Sequence, residues 1–352
     1  MRIAIIAITR NGARLGSRLK EGFAGAELFV LRKFAGQSGK GVTPFSGEVR
    51  ELVKDLWPET GGFVFIMAAG IVVRLIAPHL VDKEHDPAVV VMDDAGKFAI
   101  SLLSGHLGGA NELACRCAFL LGAREVITTA TDANNLPSFD MLAKEEGWVI
   151  DDISRVKILN SLLLDDEEIA VVDPTGRVRP YFHGLEKLAF FETFMEAFKS
   201  GAKGYLFVTN RHLPPQAQSK DLLVLRPKNL VLGIGCNSGT SPEEIEEVTS
   251  VNLKRIFLSI KSVKCIATAS AKRDEAGLLA FAAKWGIPLE FYESAVLNSV
   301  TVPSPPSPHA LEAIGAAGVA EPAALLASGG GSLLLKKVKS GNVTLAIAEM
   351  TN

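Results

Sequence analysis

Short apolar runs rich in β-branched residues alternate with stretches of helical spacing over the first 135 or so residues, and again beyond residue 230. Strand signals fall at 3–9, 27–31, 63–67, 88–92, 98–103 and 126–129, and helical spacing at 12–23, 49–56 and 111–121. A parallel pair of strands needs a crossover long enough to hold a helix, so this alternation predicts a parallel or mostly parallel sheet covered by helices. The turn Asp93-Asp94-Ala95-Gly96 joins two of the runs as a hairpin and adds one antiparallel edge. The Gly-rich stretch 35–43 carries no period.

The signals weaken from 136 to 228. A helix at 139–146 and strands at 169–172, 178–182, 205–209 and 222–225 are punctuated by Pro214-Pro215 and Arg226-Pro227. Order returns with a strand at 230–234, a helix at 242–253 and a strand at 256–260. A helix at 275–285, a strand at 289–292, a Pro/Ser-rich loop at 303–308, helices at 311–314 and 322–328 and two closing strands complete the chain. At about 150 residues per domain, the 352 residues suit two or three domains. The expectation is an α/β protein: an N-terminal α/β domain at 1–135, a smaller α/β middle module at 136–228, and a C-terminal α/β domain at 229–352.

Composition removes several classes of function. A hydrophobic content of 48% is enough to pack a core, which excludes a disordered scaffold. Lys plus Arg number 37 against 39 Asp plus Glu, a net charge of −2, so no bulk basic field attracts nucleic acid or an anionic membrane. The most apolar stretch, 61–73, is broken by Arg74 and Pro78, short of the ~18 residues that indicate a membrane span. Met1-Arg2 and the apolar residues 3–8 read as a first buried strand rather than a signal peptide. Cys115, Cys117, Cys236 and Cys265 form no CxxC pair, which speaks against a zinc or thioredoxin-type motif and for a reducing cytoplasm. His79, Asp82, Glu84, His85 and Asp86 crowd together, but their spacing fits no strong metal motif, and the segment reads as a solvated loop. No metal site is expected.

Two glycine-rich loops carry the chemistry. In Leu103-Ser104-Gly105-His106-Leu107-Gly108-Gly109-Ala110-Asn111-Glu112, a strand turns through glycines into a helix start. Unpaired amides of a first helical turn favour an anion such as phosphate or carboxylate. His106 is placed to act as a general base near neutral pH. The competing interpretation is a capped turn whose histidine only hydrogen-bonds the next loop. In Gly233-Ile234-Gly235-Cys236-Asn237-Ser238-Gly239-Thr240-Ser241-Pro242-Glu243-Glu244, Ser241, Pro242 and Glu244 read as N-cap, N1 and N3 of a capping box, again an anion site. Cys236 there is either a nucleophile of lowered pKa or a small buried residue at a strand end. Lys272, Arg273, Asp274 and Glu275 read as a carboxylate clamp or as an ordinary solvated helix start. Arg74, in an otherwise apolar segment, must reach solvent or meet an anion.

These blocks resemble a known family. Gly70-Ile-Val-Val-Arg74-Leu-Ile-Ala-Pro78, Leu103-Ser-Gly-His106-Leu-Gly-Gly-Ala-Asn-Glu112 and Thr128-Thr-Ala-Thr-Asp132 are similar to the N-terminal region of the CbiG family. Gly233-Ile-Gly-Cys236, Thr240-Ser-Pro-Glu-Glu244, Lys272-Arg-Asp-Glu275 and Gly318-Val-Ala-Glu321-Pro-Ala-Ala resemble its C-terminal domain, in the family's order. Ser270 departs from an acidic residue in that pattern, and Asn237-Ser238 from a more basic pair. The resemblance implies a cobalt-precorrin-5A hydrolase of anaerobic cobalamin biosynthesis. Such an enzyme opens a δ-lactone on a cobalt tetrapyrrole and releases acetaldehyde. It needs no cofactor of its own, since cobalt arrives on the substrate.

On this reading His106 is the base, the Gly108 and Gly109 amides face the oxyanion, and Glu112 or Asp132 orients the histidine. Gly70, Arg74, Gly105, Gly108, Gly109, Asn111, Gly235, Cys236, Gly239, Thr240, Lys272, Asp274 and Glu275 are expected to bind substrate, the two loops facing a common cleft. Transient contacts with neighbouring pathway enzymes are expected, but no nucleic acid or membrane. The alternative from another class is a non-catalytic tetrapyrrole carrier; a nucleotide enzyme rests on the glycine loops alone.

Overall fold

A computed structural model describes residues 1–351 apart from Ser38, Lys40, Lys83, Glu84 and 214–220, so the punctuation at Pro214-Pro215 lies outside the described residues. The chain forms two compact units, Met1–Met141 and Leu142–Asn352.

In the first unit, β1 (Ile3–Ala7), β2 (Glu27–Leu31), β3 (Val42–Phe45), β4 (Gly62–Ile66), β5 (Ala88–Met92), β6 (Phe98–Leu103) and β7 (Arg124–Val126) form one sheet. Its order is β3-β2-β1-β4-β5-β6-β7. Strands β1, β4 and β5 are buried along their whole length, which is why they read as unbroken apolar runs. Four helices cover the sheet: α1 (Arg10–Gly22), α2 (Val49–Leu56), α3 (Ala69–Ile76) and α4 (Ala110–Leu121). Leu19 of α1 and Leu113 and Cys117 of α4 join one core, and Val53 of α2 and Val72 and Leu75 of α3 join the other. Alternate β1 residues feed the two cores, Ile5 the first and Ile6 the second.

One strand direction matters for the site. β5 runs parallel to β4, but β6 runs against β5, with Val89 opposite Leu103 and Met92 opposite Ala99. The carboxyl end of β6 therefore emerges where β4 and β5 begin. The segment carrying His106 leaves one edge of the sheet and the segment carrying Gly70, after β4, leaves the other. The His106 loop follows a strand carboxyl end, that of β6, which this reversal sets beside the amino ends of β4 and β5. The predicted strand at 126–129 shrinks to β7, and two short helices, α5 (Ala130–Ala133) and α6 (Phe139–Glu145), follow it.

The second unit holds two sheets. β8 (Val149–Ile150), α7 (Ser154–Leu164), β9 (Ile169–Val172), α8 (Val178–Tyr181), β10 (Leu188–Phe190), α9 (Phe194–Lys199), β11 (Gly204–Val208) and β12 (Leu222–Arg226) build the first. Its order is β10-β9-β11-β12-β8, parallel except for β8. The strand expected at 178–182 is the short helix α8, because the Asp173 carboxylate accepts the Val178 amide at 2.8 Å and starts a helical turn.

β13 (Leu230–Cys236), α10 (Pro242–Arg255), β14 (Val263–Ala269), α11 (Ala276–Trp285) and β15 (Leu289–Tyr292) begin the last sheet. α12 (Ser294–Asn298), α13 (Pro308–Ile314), α14 (Ala320–Ala327), β16 (Ser332–Ser340) and β17 (Val343–Glu349) complete it, in the order β15-β14-β13-β17-β16. The strand expected at 256–260 is instead the end of α10. The Phe257 amide bonds Lys254 O, the Leu258 amide bonds Leu253 O, and Phe257 takes a φ of +58°. That is a Schellman ending, and Leu258 and Leu253 share one core as such endings require.

Polar contacts hold the first of these sheets together and weld it to the second. Arg226, 3% exposed, pairs with Asp151 at 2.7 Å and donates to the carbonyls of Thr209 and Arg211. Lys261 joins the same carboxylate at 2.8 Å, and Asn210 donates to Glu349 at 2.7 Å. The architecture is α/β throughout, with three mostly parallel sheets.

Candidate active site

The loop after β6 is built by close backbone approaches. Ser104 sits at a φ of +56°, in the left-handed region, and its hydroxyl donates to Asp86 O at 2.9 Å. A Cβ on Gly108 would lie 2.4 Å from Ser104 Cβ and 2.7 Å from Ser104 O, so only glycine fits there. The loop then folds back on the helix start. Ser104 O accepts the Ala110 amide and Gly105 O the Asn111 amide, both at 3.0 Å, and the Gly109 amide donates to His106 O at 3.0 Å. The first turn of α4 is thus closed by carbonyls, which corrects the open anion site expected there. Gly109 is likewise removed as an oxyanion donor.

His106 lies between two carboxylates. Its Nδ1 is 3.0 Å from Asp140 Oδ2 and its Nε2 is 2.6 Å from Asp132 Oδ2, with Thr131 Oγ1 3.2 Å from Nε2. Side-chain exposure grades outward, from 7% at Asp140 through 14% at His106 to 41% at Asp132. The hydrogen bond to Asp140, reinforced by Asp132 and opposed by burial, raises the imidazole pKa above its ordinary value. The geometry suits an imidazolium donating both N–H groups. Asn111 Nδ2 donates to the same Asp132 oxygen at 3.0 Å and to Thr129 Oγ1 at 3.2 Å, while Ser101 Oγ donates to Asn111 Oδ1 at 2.6 Å.

The expected roles change accordingly. A histidine with a carboxylate on each nitrogen offers water no free lone pair in this arrangement. Asp132 holds the outer position. Glu112 is exposed on the first turn of α4 and makes no hydrogen bond to His106 among the described residues, which corrects its role as the orienting acid. Asp140 does that work and sequence reasoning missed it. Its signal was an acid flanked by Phe139 and Met141, in the first turn of α6, where an acid ordinarily reads as a helix-dipole partner.

Arg74 is not buried. It lies on the exposed face of α3, opposite Val72, Leu75 and Ile76, and its Nη1 donates to Gly70 O at 2.8 Å. Its place in an apolar run reflects helical periodicity rather than a need for an anion. In the segment that follows, His79 packs on Trp57, His85 Nδ1 lies 2.8 Å from Asp82, and Asp86 accepts the Val81 amide. Glu84 is outside the described residues, which contain no cluster of three or more His, Cys, Asp or Glu poised for a metal.

The loop after β13 is also tied to its neighbours. Glu275 accepts the Gly239 amide at 2.8 Å and Lys272 Nζ at 2.9 Å, and Lys272 reaches Ser238 Oγ at 3.3 Å. Lys272 and Glu275 therefore pin Gly239, which turns at a φ of +77°. Thr240 is buried and donates to Asn237 O, while Asp274 is exposed. A Cβ on Gly235 would make only ordinary contacts, 3.5 Å from Val319 and 3.9 Å from Thr344, but one on Gly233 would lie 1.8 Å from Ala320 O, so that glycine serves the packing of α14 on β13. Ser241 caps α10 as expected, yet the Glu244 carboxylate turns to the Asn342 amide at 2.8 Å and leaves the capping box half formed. Burial pushes the Cys236 thiol up, opposite to the lowered value that a nucleophilic thiolate calls for.

Comparison with known proteins covers most of the chain. Residues 51–132 match the family described as Cobalamin synthesis G N-terminal, 137–227 the Cobalamin biosynthesis central region, and 230–348 the Cobalamin synthesis G C-terminus. The chain is 39% identical to a cobalt-precorrin-5A hydrolase of Priestia megaterium over 98% of its own length and 94% of that protein. It is 30% identical to a cobalt-precorrin-5A hydrolase of Salmonella typhimurium, over 98% of this chain and 97% of that one. A solved cobalamin biosynthesis protein G homolog from Sulfolobus solfataricus is similar at 22% identity and a TM-score of 0.37, covering 99% of this chain and 97% of that one. No described helix is long and apolar enough to cross a membrane.

Proposed function

The chain belongs to the CbiG family of cobalamin-biosynthesis proteins, and we propose that it acts as a cobalt-precorrin-5A hydrolase. In this reading it opens the δ-lactone of a cobalt tetrapyrrole and releases acetaldehyde, leaving cobalt-precorrin-5B. The observation that carries the reading is the Asp140–His106–Asp132 alignment, buried at one end and open at the other.

Water adds to the lactone carbonyl as Asp132 takes its proton. The Asp132 oxygen shared by His106 and Asn111 is fixed, and its second oxygen accepts no hydrogen bond from a described residue, which leaves it for water. The Gly108 amide, free of backbone partners among the described residues, faces the developing oxyanion. Collapse of the tetrahedral intermediate expels the ring oxygen as an alkoxide. The alkoxide becomes the aldehyde by breaking its carbon–carbon bond, and the electron pair passes to the macrocycle, where the proton held at Asp132 neutralises it. Cobalt enters with the substrate, and no resident cofactor is called on. A cytoplasmic location belongs to the same reading.

The test is anaerobic incubation with cobalt-precorrin-5A followed by an aldehyde assay. Acetaldehyde above a no-protein control is expected. Retained tetrapyrrole binding without acetaldehyde would replace the hydrolase with a carrier of the same intermediate.

A further inference from the structure

Asp132, the base of the proposed reaction, is 41% exposed, and holding so open a carboxylate in one geometry works against its side-chain entropy. Two donors converge on its Oδ2: His106 Nε2 at 2.6 Å and Asn111 Nδ2 at 3.0 Å. A single hydrogen bond lets a carboxylate swing about the contact. A second, from another direction, fixes the plane of the group and with it the direction of the free oxygen. His106 is anchored in turn by Asp140, on its other nitrogen. Asn111 is anchored by residues that take no part in the chemistry.

The Ser101 hydroxyl, on β6, donates to Asn111 Oδ1 at 2.6 Å, and Asn111 Nδ2 donates to Thr129 Oγ1 at 3.2 Å as well as to Asp132. A carboxylate only accepts, so the amide must turn its NH2 towards Asp132 and its carbonyl towards Ser101. Gly105 closes the remaining side. A Cβ there would lie 2.7 Å from Asn111 Oδ1, 3.2 Å from Asn111 Cγ and 3.2 Å from Thr129 Oγ1. Gly105 is not in the left-handed region, so a methyl group there would act through crowding and not through backbone strain. At Gly108 the obstacle includes the backbone of Ser104, whereas at Gly105 it is the end of a side chain, which yields while the loop keeps its path. We propose that Ser101 and Gly105 are positioning residues of Asp132, acting through the Asn111 amide, Ser101 by its hydroxyl and Gly105 by having no side chain. The inference rests on the reading of Asp132 as the base.

Gly105→Ala is expected to fold and to lower kcat for acetaldehyde release about 10²-fold with KM unchanged, the scale of loss that a displacement of about 1 Å causes. Gly105→Ala combined with Asn111→Ala should lose no more than Asn111→Ala alone, because effects that pass through one group do not add. Ser101→Val should lower kcat about tenfold, and Ser101→Thr, which has the same shape and keeps the hydroxyl, should restore it. A second readout needs no substrate: the titration of the His106 imidazole, followed by NMR in the full chain with labelled histidine. Asp132 contributes to the raised pKa of His106, so the titration should move down towards 6.5 in Gly105→Ala and in Asn111→Ala. Folded Gly105→Ala protein with the kcat and the His106 titration of the wild type would overturn the proposal, as would additive losses in the double variant. Equal kcat in Ser101→Val and Ser101→Thr would strike out the hydroxyl. A titration that moves as expected, in a chain that releases no acetaldehyde, would remove the proposed reaction and leave the positioning of Asp132 standing.

Discussion

Asp140 Oδ2 stands 3.0 Å from Nδ1 of His106, and Asp140 is the most buried member of the group. Removing the imidazole takes a charge-assisted hydrogen bond from a buried carboxylate, so His106→Ala combines a chemical loss with a folding penalty of about 2 kcal/mol. Asp132→Asn is the cleaner variant, because it keeps shape and hydrogen bonds at the exposed end. Its acetaldehyde release is expected to fall about 10²- to 10⁴-fold with the melting temperature nearly unchanged. Wild-type turnover in folded Asp132→Asn protein would move the base elsewhere.

The pH dependence separates a paired imidazolium from a free base. His106 has a raised pKa, so its stabilisation is fully present below the ordinary imidazole value of 6.5 and is lost as pH rises through the higher folded value. The stability gap between wild type and His106→Gln should therefore be widest below 6.5 and narrow in alkali. Turnover should decline over the same alkaline range. A rate that instead climbs through 6.5 and then levels would identify His106 as a free base.

Arg226 is expected to hold the β8–β12 sheet of the second unit together, since Asp151, Thr209 and Arg211 all belong to it. Arg226→Met leaves the carbonyls of Thr209 and Arg211 without their donor and Asp151 with Lys261 alone. A loss of about 3 kcal/mol in urea unfolding is expected. Burial pushes the Asp151 carboxyl up, but hydrogen bonds from Arg226 and Lys261 outweigh it and hold the pKa below 3.8. That stabilisation is present above the ordinary carboxylate value and disappears as pH falls through the lowered one. An unchanged urea midpoint would show that the Arg226 bonds contribute nothing to stability.

Phe257 occupies the left-handed C′ position of α10 with its side chain 65% exposed. The strain there is not offset by packing, so Phe257→Gly should raise stability by about 1 kcal/mol. A lower melting temperature would reveal a packing role for the ring.

What was legible in the sequence follows from burial. β1, β4 and β5 are covered on both faces and announce themselves as apolar runs, as does β13. Elements decided by a single side chain did not: the Asp173 carboxylate turns 178–182 into a helix, and the Schellman ending at Phe257 uses β-branched and apolar residues that imitate a strand. His106 and Asn111 were found because they lie in the glycine loop and the helix start after it, and Asp132 because it ends the block 128–132 that resembles the family. Asp140 was missed because its partner is 34 positions away, a separation that no local pattern encodes. Of the two readings offered for Arg74, solvent exposure is the one the helix face explains, because a helix face and a buried run look alike when only one polar residue interrupts them.

The reversal of β6 has a consequence for how this protein can be altered. The hairpin at Asp93–Gly96 and the bend at His106 are the two ends of one strand, a full strand length apart. Peptide tags or fluorophores placed near Ala95 would extend the molecule away from the residues that hold Asp132. Divergence can likewise lengthen one rim of the first sheet while the other keeps its shape. A family built this way can tinker with its contacts and leave its chemistry in place.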